Sequence, residues 1–141
     1  MKTRDLEKVK AEVENIRDHS GKVDEKIKPL VIGLREWGVK TISSCQGHKR
    51  SVSEVLLFPS IIIPSQDAKK VRNLISVFKK NSWVLQRETW VNSVGKRRIT
   101  LRLVPRNKKR RKLNRMQKDA IEFGLFLQQL PDDFFKEAKN D

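Results

Sequence analysis

Apolar positions recur at intervals of three and four in four separate stretches of this chain, and at shorter, strand-like intervals between them. Leu6, Val9, Val13 and Ile16 form one such stripe, which predicts an amphipathic helix over residues 5–17. Gly21 stands shortly after it, in the usual position of a helix stop. Asp24 then reads as an N-cap, and Ile27, Leu30, Val31 and Leu34 make a second helical stripe that closes at Gly38. Pro29 falls early in that helix, where its missing N–H costs little. Residues 39–43 and 54–63 read as strands, the second interrupted at Pro59. A third helix starts at residues 64–67 and turns Val71, Leu74, Ile75 and Phe78 inward. Residues 83–90 and 97–104 read as two strands joined by a turn at 92–95. A last helix covers 113–129, with Met116, Ala120, Phe123 and Leu127 on one side.

The order helix, strand, strand, proline runs from residue 24 to 64 and recurs from 65 to 105, 41 residues each time. Two copies are too few for a solenoid. The pattern predicts one α+β domain over residues 1–141. Its internally duplicated α-β-β units would close a mixed or antiparallel sheet or a small barrel, with N- and C-terminal helices flanking it. The expected divisions are an N-terminal helix at 1–22, the duplicated core at 23–105, a basic linker at 106–115, and a C-terminal helix with an acidic tail at 116–141.

Charge changes this picture more than composition does. Of the 32 basic and 17 acidic residues, 21 basic and only four acidic ones lie between 29 and 115. Such a field attracts polyanions, and nucleic acid is the partner it fits best. A membrane surface fits less well, because the basic stretches lack a wide apolar face. The longest apolar stretches, 55–58 and 61–63, are far short of a membrane span. No signal-peptide core follows the basic N-terminal residues, and a single cysteine cannot form an internal disulfide. A cytoplasmic setting is the resulting expectation.

The candidate chemistry lies in the run Thr41-Ile42-Ser43-Ser44-Cys45-Gln46-Gly47-His48, which holds the only cysteine and one of the two histidines. Cys45 and His48 have the spacing of two zinc ligands, but a closed structural site needs four. His19 is far away in sequence, so the expectation is no metal. A thiol nucleophile at Cys45 would need a base and an orienting partner, and no third group stands out beyond His48. Two readings stay open. Ser43, Ser44, Cys45, Gly47 and His48 can form a cofactor- or anion-binding loop, with Lys49 and Arg50 adding charge. Alternatively, Cys45 is a small core residue beside a tight glycine turn. No residue is assigned a catalytic role.

The second constellation is Arg106-Asn107-Lys108-Lys109-Arg110-Arg111-Lys112, with Arg115 just beyond. A run of this kind repels itself and pairs readily with phosphate. It can equally serve as a targeting signal that needs only charge. Arg98 and Arg102 share one face of the preceding strand by alternation, and Lys69, Lys70 and Arg72 add a further patch. Trp83 and Trp90 fall on opposite faces of one strand, so one can be core and the other a base-stacking platform. Trp37 ends a helix.

Val23-Asp24-Glu25-Lys26-Ile27-Lys28-Pro29-Leu30, followed by Thr41-Ile42-Ser43-Ser44-Cys45-Gln46-Gly47, resembles the tRNA wybutosine-synthesis methyltransferases of the third pathway step. These carry a D-x-x-I helix and a T-T-S-S-C-S-G-R strand and loop. The chain is also similar to small uncharacterised proteins with an S-C-x-G-H loop. The resemblance is tightest over residues 23–48. It implies a duplicated α/β fold, tRNA as partner, and S-adenosylmethionine as candidate cofactor. Gln46 stands where the family has serine, and His48 where it has arginine, which exchanges a permanent forked cation for a pH-sensitive group. The expectation is a basic RNA-binding protein, tRNA-related, with a methyltransferase-like activity as its enzyme version. The alternative is a non-catalytic nucleic-acid-binding protein.

Overall fold

The four helical stripes form four helices, and the strands between them form one open sheet in a computed structural model. The structure describes residues 2, 5–18, 21–48, 57–79 and 81–135. Helix α1 spans Leu6–Asn15, with Asp5 as N-cap accepting from the Glu7 N–H. It ends sooner than its stripe suggests. Arg17–Asp18 (β1) and Gly21–Lys22 (β2) instead pair as a short antiparallel ribbon. Gly21, at φ +102°, therefore opens β2 rather than capping a helix.

Helix α2 spans Lys28–Glu36 and starts later than Asp24 predicts. The Asp24 carbonyl accepts from the Ile27 and Lys28 N–H groups, but its side chain does not cap the helix. The edge strand β3 is Ser43–Cys45, beginning where the expected strand was to end, and β4 is Ser60–Pro64, just past Pro59. After a 3₁₀ turn at Ser65–Asp67, α3 covers Ala68–Ser76. Strands β5 (Trp83–Val91) and β6 (Arg97–Pro105) form a hairpin, and α4 covers Leu113–Gln129. The hairpin turn is built on Asn92, whose Oδ1 accepts from the Val94 and Lys96 N–H groups.

The sheet order is β3-β4-β6-β5 and every neighbouring pair is antiparallel. The fold is thus α+β with an open antiparallel sheet. It is neither mixed nor a closed barrel, because β3 and β5 remain at opposite edges. The order helix-strand-strand occurs twice, as α2-β3-β4 and α3-β5-β6. A duplicated origin does not follow from element order, and the halves differ: β3 has three residues and β5 has nine.

Alternation along the strands divides the sheet into two faces. Ile61, Ile63, Leu101, Leu103 and Trp83 join one core with Val13, Leu30, Leu34, Val71, Leu74, Phe123 and Leu127 of the helices. The opposite face carries Ser43, Cys45, Ile62, Arg102, Gln86 and Glu88, all partly accessible. Helices α2 and α4 cross at glycines. A Cβ on Gly124 would lie 2.2 Å from the Pro29 carbonyl carbon, and one on Gly33 would lie 2.9 Å from the Gly124 oxygen. The Trp37 indole N–H donates to the Leu127 carbonyl at 2.9 Å and ties the far end of the same pair. Among the described residues, no helix is long and apolar enough to cross a membrane.

Candidate metal and nucleic-acid sites

The loop after β3 is held from three sides. Arg35 of α2 donates from Nε to the Thr41 hydroxyl and from a terminal nitrogen to the Thr41 carbonyl, fixing the approach to β3. Asp24 turns its carboxylate to the loop, and Oδ2 accepts from the Gln46 N–H at 3.0 Å. This is where the missing helix cap went. From α4, the Gln117 amide donates to the Gln46 carbonyl, and the Lys26 N–H donates to Gln46 Oε1. Gly47 is buried at φ +88°, and a Cβ there would meet Leu113 at 2.7 Å and the Phe58 backbone at 2.8 Å. Only glycine fits that position, by both conformation and space.

This geometry bears on the expected anion cradle. The Gln46 N–H donates to Asp24, and the Gly47 N–H donates to Cys45 Sγ at 3.4 Å. Both amides are thus engaged by electron-rich groups of the protein itself. Strand alternation also separates the two serines: Ser43 and Cys45 share the open face, while Ser44 points with Ile61 towards the helices. What the fold gathers instead is a donor set. One ligand atom each of Asp24, Cys45 and His48 lies within 4.8 Å of the others, with Asp24 and Cys45 half-buried and His48 exposed. Sequence spacing shows only two of these ligands, because Asp24 lies 21 positions before Cys45 and reads as a helix cap.

The basic segment is folded rather than a free linker. It follows β6, makes a 3₁₀ turn at Lys108–Arg110, and enters α4 at Leu113. The Arg106 N–H donates to the Ser82 carbonyl and its Nε to the Asn81 carbonyl, so this side chain is spent on the backbone. Arg111 lies 3.7 Å from the buried Asp119 carboxylate, which also accepts from the Trp83 indole and from Lys79. Glu122 and Asp119 together hold the Lys79 ammonium above its ordinary pKa. Lys108 lies over the Phe58 ring at 5.2 Å, which places the segment next to the Gly47 turn. Lys109, Arg110, Lys112 and Arg115 are exposed and make no ion pair among the described residues.

On the open sheet face Arg102 is clamped by Glu88 and donates to the Ser60 hydroxyl, so it is an internal strut. Arg98 is exposed at the hairpin arm, opposite Trp90 in the ladder. Trp90 is 48% exposed while Trp83 is 1% exposed, the division that strand alternation predicts. Trp37 is buried in the core. Lys49 and Arg50 lie outside the described residues. No family model matches this chain, and neither a curated protein nor a solved structure is found to be similar to it.

Proposed function

We propose that this protein binds RNA, with structured RNA such as tRNA as the favoured partner. The observation that carries the reading is the distribution of cations that pair with no acid among the described residues. Lys109, Arg110, Lys112 and Arg115 stand at one end of β6, and Lys96, Arg97 and Arg98 stand at the other. Nine residues at a strand rise of about 3.4 Å put these clusters roughly 27 Å apart. A mononucleotide does not reach across that distance, whereas a polymer with a phosphate every few ångströms does. Half-exposed Trp90 beside Arg98 offers a ring for base stacking at one end. The neighbouring arginines that are bound internally, Arg102, Arg106 and Arg111, organise the surface rather than meet the ligand. A cytoplasmic location accords with this partner. The preference for tRNA over other nucleic acid rests on the resemblance of residues 23–48.

Fluorescence anisotropy with labelled tRNA across a salt series tests this. Replacing Lys109, Arg110, Lys112 and Arg115 with glutamine is expected to weaken binding at every sequence tested. It should also flatten the plot of log affinity against log salt by about 3–4 units, about 0.7–0.9 for each of the four lost phosphate contacts. Binding that ignores salt, or a quadruple variant that binds like the parent, refutes the reading. Titrating S-adenosylmethionine calorimetrically, with and without tRNA, separates the two versions. Heat of binding supports the methyltransferase-like one, and its absence leaves a non-catalytic RNA-binding protein.

A further inference from the structure

We propose that Asp24, Cys45 and His48 form a zinc site with one coordination position left open to solvent. The donor set is a carboxylate oxygen, a sulfur and an imidazole nitrogen, which are the three ligand types zinc accepts together. In a tetrahedral zinc site, metal–ligand bonds of about 2.0–2.3 Å place neighbouring ligand atoms about 3.5 Å apart. The three atoms already lie within 4.8 Å of one another, so closing on an ion takes a movement of about 1 Å, within reach of a turn of the exposed His48 side chain.

The surroundings are arranged as metal sites require. The Gly47 N–H faces Cys45 Sγ, where it would stabilise a thiolate. The Gln46 N–H holds one oxygen of Asp24 and leaves the other free of that contact. Gly47 itself is wedged between Leu113 and Phe58, and the Gln46 carbonyl is pinned by Gln117, so the loop keeps its shape without an ion. Outer partners of this kind fix ligand orientation and tune affinity. Asp24 and Cys45 carry two negative charges when coordinated, which a divalent ion neutralises, and the thiol proton is released to solvent. Among the described residues this set supplies three protein ligands, one of them exposed; a fourth position held by water or an anionic oxygen would give the coordination of a catalytic rather than a structural zinc. The sequence spacing of Cys45 and His48 shows only half of this set; the packing of the segment before α2 against the loop after β3 supplies the rest.

The inference does not rest on RNA binding, and its test uses no RNA. The full chain, untagged and freed of metal with a chelator, is titrated with zinc(II) against a chromophoric competitor and separately with cobalt(II). One tight equivalent of zinc is expected, together with a sulfur-to-metal charge-transfer band in the cobalt form. Cys45→Ser should abolish the band. Asp24→Asn and His48→Ala should each weaken zinc binding about 100-fold or more, at least the upper end of what outer-sphere partners cost. Circular dichroism confirms that each variant is folded. Should a variant fail to fold, the cobalt spectrum of the parent chain decides. A parent chain without the band, or a folded variant of any of the three that binds zinc as tightly as the parent, overturns the proposal.

Discussion

Gly124→Ala is a sensitive probe of how this fold positions its loop. In a helix interior the change alone is favourable, by about 1 kcal/mol of helix propensity. Here the new Cβ would lie 2.2 Å from the Pro29 carbonyl carbon, 2.4 Å from the Leu30 nitrogen and 2.4 Å from the Pro29 oxygen. All three are backbone atoms and cannot rotate away. Restoring a contact of about 3.4 Å requires α2 and α4 to separate locally by roughly 1.2 Å, and overpacking of a core typically costs about 1–3 kcal/mol. Taking the upper end for a clash with rigid backbone, the expected net loss is about 2 kcal/mol. Urea denaturation should show the midpoint falling by about 1 M with an unchanged slope. The displacement should also reach the loop. Asp24 is tied to the first turn of α2 through its carbonyl, and Leu113 and Gln117 of α4 bear on Gly47 and Gln46. Zinc affinity should therefore fall in the folded variant. A Gly124→Ala midpoint equal to or above the parent's would refute the close crossing, since propensity would then have outweighed the clash.

Asp119→Asn should destabilise the protein by about 1–3 kcal/mol in the same assay, since a buried carboxylate joining the Trp83 indole, Lys79 and Arg111 loses its charge. A loss below 0.5 kcal/mol, the scale of an ordinary surface change, would contradict that network's importance. Glu36 gives a pH test. Burial raises its pKa, while Lys2 at 3.4 Å pulls it down less strongly. A carboxyl whose folded pKa is raised contributes stability that is present below its unfolded pKa and lost as pH rises through the folded one. Relative to the parent, Glu36→Gln should therefore gain stability as pH rises above the ordinary carboxylate range, and urea midpoints that stay parallel on that rise would contradict it.

Much of the architecture was legible in the residues. The α4 boundaries and the β5–β6 hairpin follow from spacing and turn chemistry, because both are long elements whose periodicity and turn signals agree. The buried stripes of α1, α2 and α3 follow from apolar spacing alone, since Gly21 lies in β2 and the Asp24 carboxylate faces the loop instead of marking helix ends. Short elements were less legible. A three-residue edge strand such as β3 has too few positions to show a period, and its place depends on pairing with β4. Charge also located the basic segment, although not which of its side chains are spent internally.

The sequence by itself determined where apolar surface must be buried and where positive charge accumulates, since both follow from local composition and spacing. It also singled out the Cys45–His48 loop as unusual chemistry. Only the tertiary structure decided what that loop can hold. Asp24 carries the same carboxylate whether it caps a helix or faces a sulfur, and distance along the chain does not distinguish the two. Packing of the segment before α2, and of α4, against the Gly47 turn makes the choice: it aims the loop amides at Asp24 and Cys45, and brings His48 within reach of both. Tertiary pairing also sorts the basic residues, setting Arg102 against Glu88 across the hairpin and Arg111 against Asp119 of α4, while leaving Lys109, Arg110, Lys112 and Arg115 to the solvent.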